Sequence, residues 1–171
     1  MHAVAANRAG IVRLLVNLPR RRGVEPAVSG NDPLYTACKR GFYDIAKLLL
    51  DLPLDRGVRP DAHNNGALLY ACFNKHPAIA ELLLHLPIER GVDPNAMDWR
   101  SIDHAASHSS EIFKIFLDLP LERGVDAAIK THVPFIHACR NGQVENVKRL
   151  LDLPRERGVV ASARGNKALR W

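Results

Sequence analysis

Five times along the chain a Leu-Pro pair is followed, after two variable residues, by Arg-Gly-Val. The copies begin at Leu18, Leu52, Leu86, Leu119 and Leu153, so the steps are 34, 34, 33 and 34 residues. Self-similarity at this period marks one supersecondary unit stacked on copies of itself, since a unit that small cannot bury its apolar face alone. The repeat therefore predicts a stacked array. Such an array offers a surface for function rather than a reaction site.

The 171 residues hold about five such units. Hydrophobic residues make up 47% and charged residues 25%, a balance that supports a packed core and excludes a disordered chain. No apolar run approaches the ~18–20 residues needed to span a bilayer. The segment from Met1 to Asn7 has no basic stretch leading into a long apolar core, so no secretory signal is expected. Cys38, Cys72 and Cys139 occupy one position of the repeat. Equivalent positions on stacked helices lie ~8–10 Å apart, beyond the ~7 Å reach of a disulfide. Unpaired thiols point to a cytoplasmic or other reducing intracellular compartment, with delivery into a host cell left open, and to small buried side chains.

The net charge is +6, and much of it is local, in Arg20, Arg21 and Arg22 and in the last 17 residues from Arg155 on. Aromatics, which would supply stacking rings beside the basic residues of a nucleic-acid binder, are only 6%, which argues against nucleic acid. The excess favours a protein partner with an acidic surface.

Within the second unit, Asp32 and Pro33 read as the start of a short helix whose Leu34, Ala37 and Cys38 form one narrow apolar face. Gly41 closes it in a left-handed conformation. A second helix runs through Ile45, Leu48, Leu49 and Leu52 and should stop before Pro53. Pro53 to Arg56 then fits one further helical turn capped by Gly57, with Arg56 beside exposed helix-end carbonyls. The other units repeat the plan. The residue missing from the fourth falls in the turn between Ala106 and Ile112, where a deletion costs least. Asn146 stands where Ile11, Ile45, Ile79 and Ile112 stand in the other units, so burial there would require hydrogen-bond partners.

Asp32-Pro33-Leu34-Tyr35-Thr36-Ala37-Cys38 and Gly91-Val92-Asp93-Pro94-Asn95-Ala96 resemble the helix-opening and loop motifs of ankyrin repeats. The resemblance covers essentially the whole chain. It implies an all-α, ankyrin-like solenoid of stacked antiparallel helix pairs. Units would fall at about 28–61, 62–95, 96–128 and 129–162, with partial units at 1–27 and 163–171. The segment between each Gly and the next first helix is about three residues shorter than in the family, so β-hairpin fingers should be short or absent. The leucine helix is followed by an extra Leu-Pro-X-X-Arg.

In such arrays the partner lies against the concave face, made by first helices and finger loops. By position, the resemblance assigns this role to Lys39, Arg40, Asn64, Asn65, Phe73, Asn74, Trp99, Arg100, Ser107, His108, Lys130, His132, Arg140 and Asn141. Phe73 and Trp99 stand out as aromatic anchors among polar and basic neighbours. The repeated arginines Arg22, Arg56, Arg90, Arg123 and Arg157 read as helix-end capping rather than as a basic ladder, since an acidic residue precedes four of them.

Asp103, Ser107 and His108 supply acid, nucleophile and base types but no oxyanion nest, and no Gly-X4-Gly-Lys phosphate loop occurs. His104 and His137 share one repeat position, but no metal-ligand spacing accompanies them. The expectation is a monomeric, non-catalytic module that binds a protein partner, with no cofactor, metal or membrane. The alternative is a targeting or scaffold segment of a larger enzyme or secreted effector whose catalytic domain lies outside these residues.

Overall fold

The computed structural model describes residues 2–22, 25–96, 99–123, 125, 132–154 and 157. Ten α-helices and four short 3-10 turns appear among these residues, and no strand. The chain divides into two compact units, Met1–Asp93 and Pro94–Trp171.

The first unit holds three helix pairs: α1 (His2–Ala5) with α2 (Ala9–Val16), α3 (Val28–Arg40) with α4 (Tyr43–Leu50), and α5 (Ala62–Phe73) with α6 (Pro77–Leu84). First helices pack on first helices, α1 on α3 on α5, and second helices on second helices, α2 on α4 on α6. The second unit repeats this with α7 (Arg100–His108) and α8 (Ser110–Leu117), then α9 (Val133–Arg140) and α10 (Val144–Leu151); α7 packs on α9 and α8 on α10. Leu34, Ala37 and Cys38 from α3 and Ile45 and Leu49 from α4 are buried, as are Leu68, Ala71, Cys72, Ile79 and Leu83 at the same positions of the next pair. Small residues on the first helices let their backbones approach. In α2 the corresponding Ile11 is 50% exposed where Ile45 is fully covered.

Within each compact unit the Leu-Pro-X-X-Arg-Gly-Val element ties one helix-pair repeat to the one before it. Proline stops the second helix, and the next three residues form a 3-10 turn: Leu54–Arg56, Ile88–Arg90 and Leu121–Arg123. Gly57 and Gly91 end two of these turns at φ 75° and 74°, a conformation that a side chain resists. Val58, Val92 and Val125 then enter the core. Two of the arginines reach the preceding repeat, at carbonyls just beyond the end of its second helix. Arg90 Nη1 donates to the carbonyl of Leu52 (3.2 Å), and Arg157 Nη2 to that of Leu119 (3.4 Å).

In the four first helices after α1 the right-handed run is entered through a left-handed residue, which in α3 and α5 lies within the stated range and follows other left-handed residues. The entry residues are Asn31 (φ 75°), Asn65 (φ 61°), Trp99 (φ 62°) and His132 (φ 59°), one per unit at the same repeat position. In α3 the left-handed Ser29 and Asn31 interrupt the range, so its right-handed run starts after Asn31, one residue earlier than expected from Asp32. Asn31 takes the entry position, and its side chain serves the next unit rather than its own helix. Asn31 Oδ1 accepts from the Arg59 backbone N–H (2.7 Å), and Asn65 Oδ1 from that of Asp93 (2.9 Å). Both asparagines are buried. Asparagine suits this place because it tolerates left-handed backbone and can satisfy a buried N–H.

Gly41 closes α3 at φ 76°, and a Cβ there would come within 2.6 Å of the His76 ring, whose Nε2 donates to the Lys39 carbonyl (3.3 Å). In three units the N–H five residues on closes each first helix: Phe42 to Ala37, His76 to Ala71 and Gln143 to Ala138, each at 2.9 Å. The fourth unit lacks one residue here. Ser109, extended at φ −152°, donates instead to Ala105 (2.9 Å), and its Oγ caps α8 by accepting from Ile112 N–H. The neighbouring Ala106 carbonyl is met by Asn146 Nδ2 at 2.9 Å. In two other repeats the equivalent carbonyl receives a left-handed residue's N–H, Lys75 to Cys72 (3.2 Å) and Gly142 to Cys139 (3.1 Å). The deletion and the buried asparagine are thus two halves of one arrangement.

Cys38 and Cys72 are free and buried, and Cys139 is free and partly exposed. Burial pushes the Cys38 thiol up to about 12 and raises those of Cys72 and Cys139. Since the thiolate is the nucleophile, alkylation of the native protein at neutral pH should label Cys139 first. Cys38 and Cys72 should react only after unfolding. Mass mapping in native and urea-containing buffer checks this order; early labelling of Cys38 would contradict its burial.

Candidate interaction surfaces

The exposed faces of the first helices, with the left-handed entry turns, form the candidate surface of each unit. In the first unit Lys39, Arg40, Asn64 and Asn74 are exposed and Phe73 is half-buried. Asn65 is buried, its side-chain oxygen held by the Asp93 N–H, so this residue joins neighbouring units. Arg40 Nη1 donates to the Ala5 carbonyl (3.2 Å), and Asn74 Nδ2 to that of Tyr70 (2.8 Å).

Sequence reasoning singled out Lys39 and Phe73 but not the tyrosines between them. Tyr35 and Tyr70 meet edge to face at 5.0 Å between ring centres, and Phe73 adds a third ring 6.3 Å from Tyr70. His63 lies 6.3 Å from Tyr35 on its other side. Lys39 Nζ sits 5.2 Å from the Tyr70 ring centre and 5.9 Å from that of Tyr35. Burial, the hydrogen bond to Tyr70 and the charge of Asp32 push the Tyr35 hydroxyl up to about 12, so it remains a neutral donor. The signal for this cluster was the i, i+4 spacing of Tyr35 and Lys39 on one helix face.

In the second unit Arg100, His108, Arg140 and Asn141 are exposed, while Trp99 and His132 are partly covered. Ser107 is buried, and its hydroxyl donates to the Asp103 backbone carbonyl (2.9 Å), which takes it out of the exposed surface. Asn141 Nδ2 donates to the His137 carbonyl (2.8 Å). Lys130 lies outside the described residues. His104 and His108 stack at 4.4 Å with ring planes 19° apart. Among the described residues no three His, Cys, Asp or Glu side chains converge at metal-binding distance.

Asp103 is half-buried, and its Oδ1 has no hydrogen-bond partner. Burial pushes its carboxyl up to about 6, while the charge of His137 pulls it partly back. The folded chain therefore holds this proton more tightly than the unfolded chain, and ionising Asp103 as pH rises from about 4 through about 6 costs stability. Asp103→Asn should stabilise the protein at pH ~7.5 by about 1 kcal/mol after allowance for solvent screening, and leave it unchanged at pH ~4. Urea unfolding at the two pH values checks the sign.

Paired short helices in two packed layers, repeated with units joined by side-chain-to-backbone bonds, define a helix-pair repeat protein of the interaction-module class. A family model for ankyrin repeats, in three copies, matches residues 1–98, and the chain belongs to the ankyrin-repeat family. Searches of curated proteins and of solved structures return no match. Ankyrin repeats in general serve protein–protein interaction. No helix among the described residues is long and apolar enough to cross a membrane.

Proposed function

We propose that this chain is a non-catalytic module that holds a protein partner against its first-helix faces and entry turns, in a reducing intracellular compartment. The observation that carries the reading is Trp99. Asn31 and Asn65 occupy the same repeat position, where a left-handed backbone is required, and both are well suited to it. A tryptophan there, at φ 62°, holds a bulky side chain in a conformation that L-residues resist by about 1–2 kcal/mol. Strain of this kind persists where the side chain serves something other than the fold. A partly exposed indole on the entry turn, with the exposed Arg100 next to it, has the make-up of an interface anchor.

The three unpaired thiols support the reducing compartment. Trp99→Asn is the direct test. It should raise stability by about 1 kcal/mol by relieving backbone strain while weakening partner capture. Affinity capture with the full chain, compared with Trp99→Asn and Phe73→Ala, supplies the second readout. A variant that is less stable, or one that retains every partner, would remove Trp99 from the surface.

A further inference from the structure

The Tyr35–Tyr70–Phe73 cluster has two properties that the fold does not need. Its rings lie at the outer edge of the first-helix layer, each partly exposed, with Tyr35 and Tyr70 edge to face and Phe73 tilted against Tyr70. Rings held this way offer apolar contact area with little entropy left to lose on binding. Above them sits a cation. Lys39 Nζ is held over two ring faces, and no carboxylate pairs with it among the described residues. A lysine placed by aromatic faces keeps its N–H groups for an incoming anion.

Around Lys39 the charge is one-sided: Arg40 adjoins it, Lys75 adjoins His76, whose ring meets the Lys39 carbonyl, and all three cations are exposed. Of the carboxylates nearby, Asp61 is already held by Arg59 at 2.6 Å, and Asp32 is partly covered.

We infer that this cradle takes an acidic peptide segment, with a carboxylate on Lys39 and a neighbouring apolar side chain against the exposed ring edges of Tyr35, Tyr70 and Phe73. The inference rests on the reading of the chain as a protein-binding module and names the chemistry of the partner at the first unit. A carboxylate on Lys39 would complete a cation already oriented by two rings. The apolar neighbour would cover the exposed ring edges and exclude water from the pair, which strengthens it. Two features are required together, charge and an adjacent apolar group, and neither alone should suffice.

The test uses the full chain and three fluorescein-labelled probes. These are a nonapeptide alternating glutamate with leucine, the same peptide with glutamine for glutamate, and a nine-nucleotide single-stranded DNA. Fluorescence anisotropy should show the glutamate peptide bound at least tenfold more tightly than the glutamine peptide and the DNA. Lys39→Gln should weaken that binding about tenfold, equivalent to about 1.4 kcal/mol. Lys47→Gln, on the exposed side of α4, should leave it within twofold. Amide NMR shifts on binding should centre on Lys39, Tyr70 and Phe73.

Equal binding of the two peptides, preference for the DNA, absence of binding at millimolar peptide, or indifference to Lys39→Gln would each overturn the inference. If captured partners depend on Trp99 but bind Lys39→Gln unchanged, the cradle assignment falls and the module reading stands. If capture depends on neither residue, both fall.

Discussion

Asn65→Ala should destabilise the first unit by about 2–3 kcal/mol, a large fraction of a small domain's stability. Two separate losses add. The side-chain oxygen that accepts the Asp93 N–H at 2.9 Å disappears, leaving a donor without its partner. That costs about 1–2 kcal/mol. Alanine must then hold φ near 61°, which adds about 1 kcal/mol. Asn65→Gly separates the two, because glycine keeps the left-handed backbone and loses only the bond. The expected order of stability is wild type, then Gly, then Ala. Asn31, with the same conformation and a 2.7 Å bond to the Arg59 N–H, should show the same order. Urea titration of the wild type and the two Asn65 variants reads this directly. Equal stability of the glycine and alanine variants would mean that the left-handed geometry carries no cost.

The second large effect is a coupling. Asn146→Ile restores the residue type of the other units but removes the donor from the buried Ala106 carbonyl. It also removes Asn146 Oδ1, which is buried and without a partner, so the single substitution exchanges one unsatisfied group for another and should change stability little. Inserting one glycine between His108 and Ser109 restores the turn length of the other units and returns a backbone N–H to that carbonyl. In that background Asn146→Ile should stabilise by about 2 kcal/mol, since only the unsatisfied oxygen is lost and apolar area is gained. The quantity to measure is the coupling in the double-mutant cycle, expected at about 2 kcal/mol. A coupling near zero would show that the short turn and the buried asparagine arose independently. Hydrogen exchange at the end of α7 gives a residue-level check.

Much of the architecture was legible because its causes are local. The leucine spacing set the second helices, Pro53 and Pro87 set their ends, and Gly41 and Gly57 appeared in the left-handed conformations their positions required. Each of those inferences involves residues within about one helical turn of one another. The candidate surface was legible in part. Lys39, Phe73 and Trp99 stand on the first-helix faces or entry turns where repeat position put them. Asn65 and Ser107, read from the same positions, proved to be committed to backbone groups. The Tyr35–Tyr70 contact went unseen because it joins residues one unit apart at non-equivalent repeat positions.

By itself the sequence determined the period, the helix pairs, the 3-10 turns and the membership of the ankyrin family, since all of these follow from patterns repeated within each unit. Only the tertiary structure decided what the conserved-looking polar residues do. Asn31 and Asn65 reach backbone 28 residues on, Arg90 and Arg157 reach back 38, and Asn146 reaches back 40. Those separations become hydrogen-bond distances only when one unit lies on the next, and stacking creates the partners that no single unit contains.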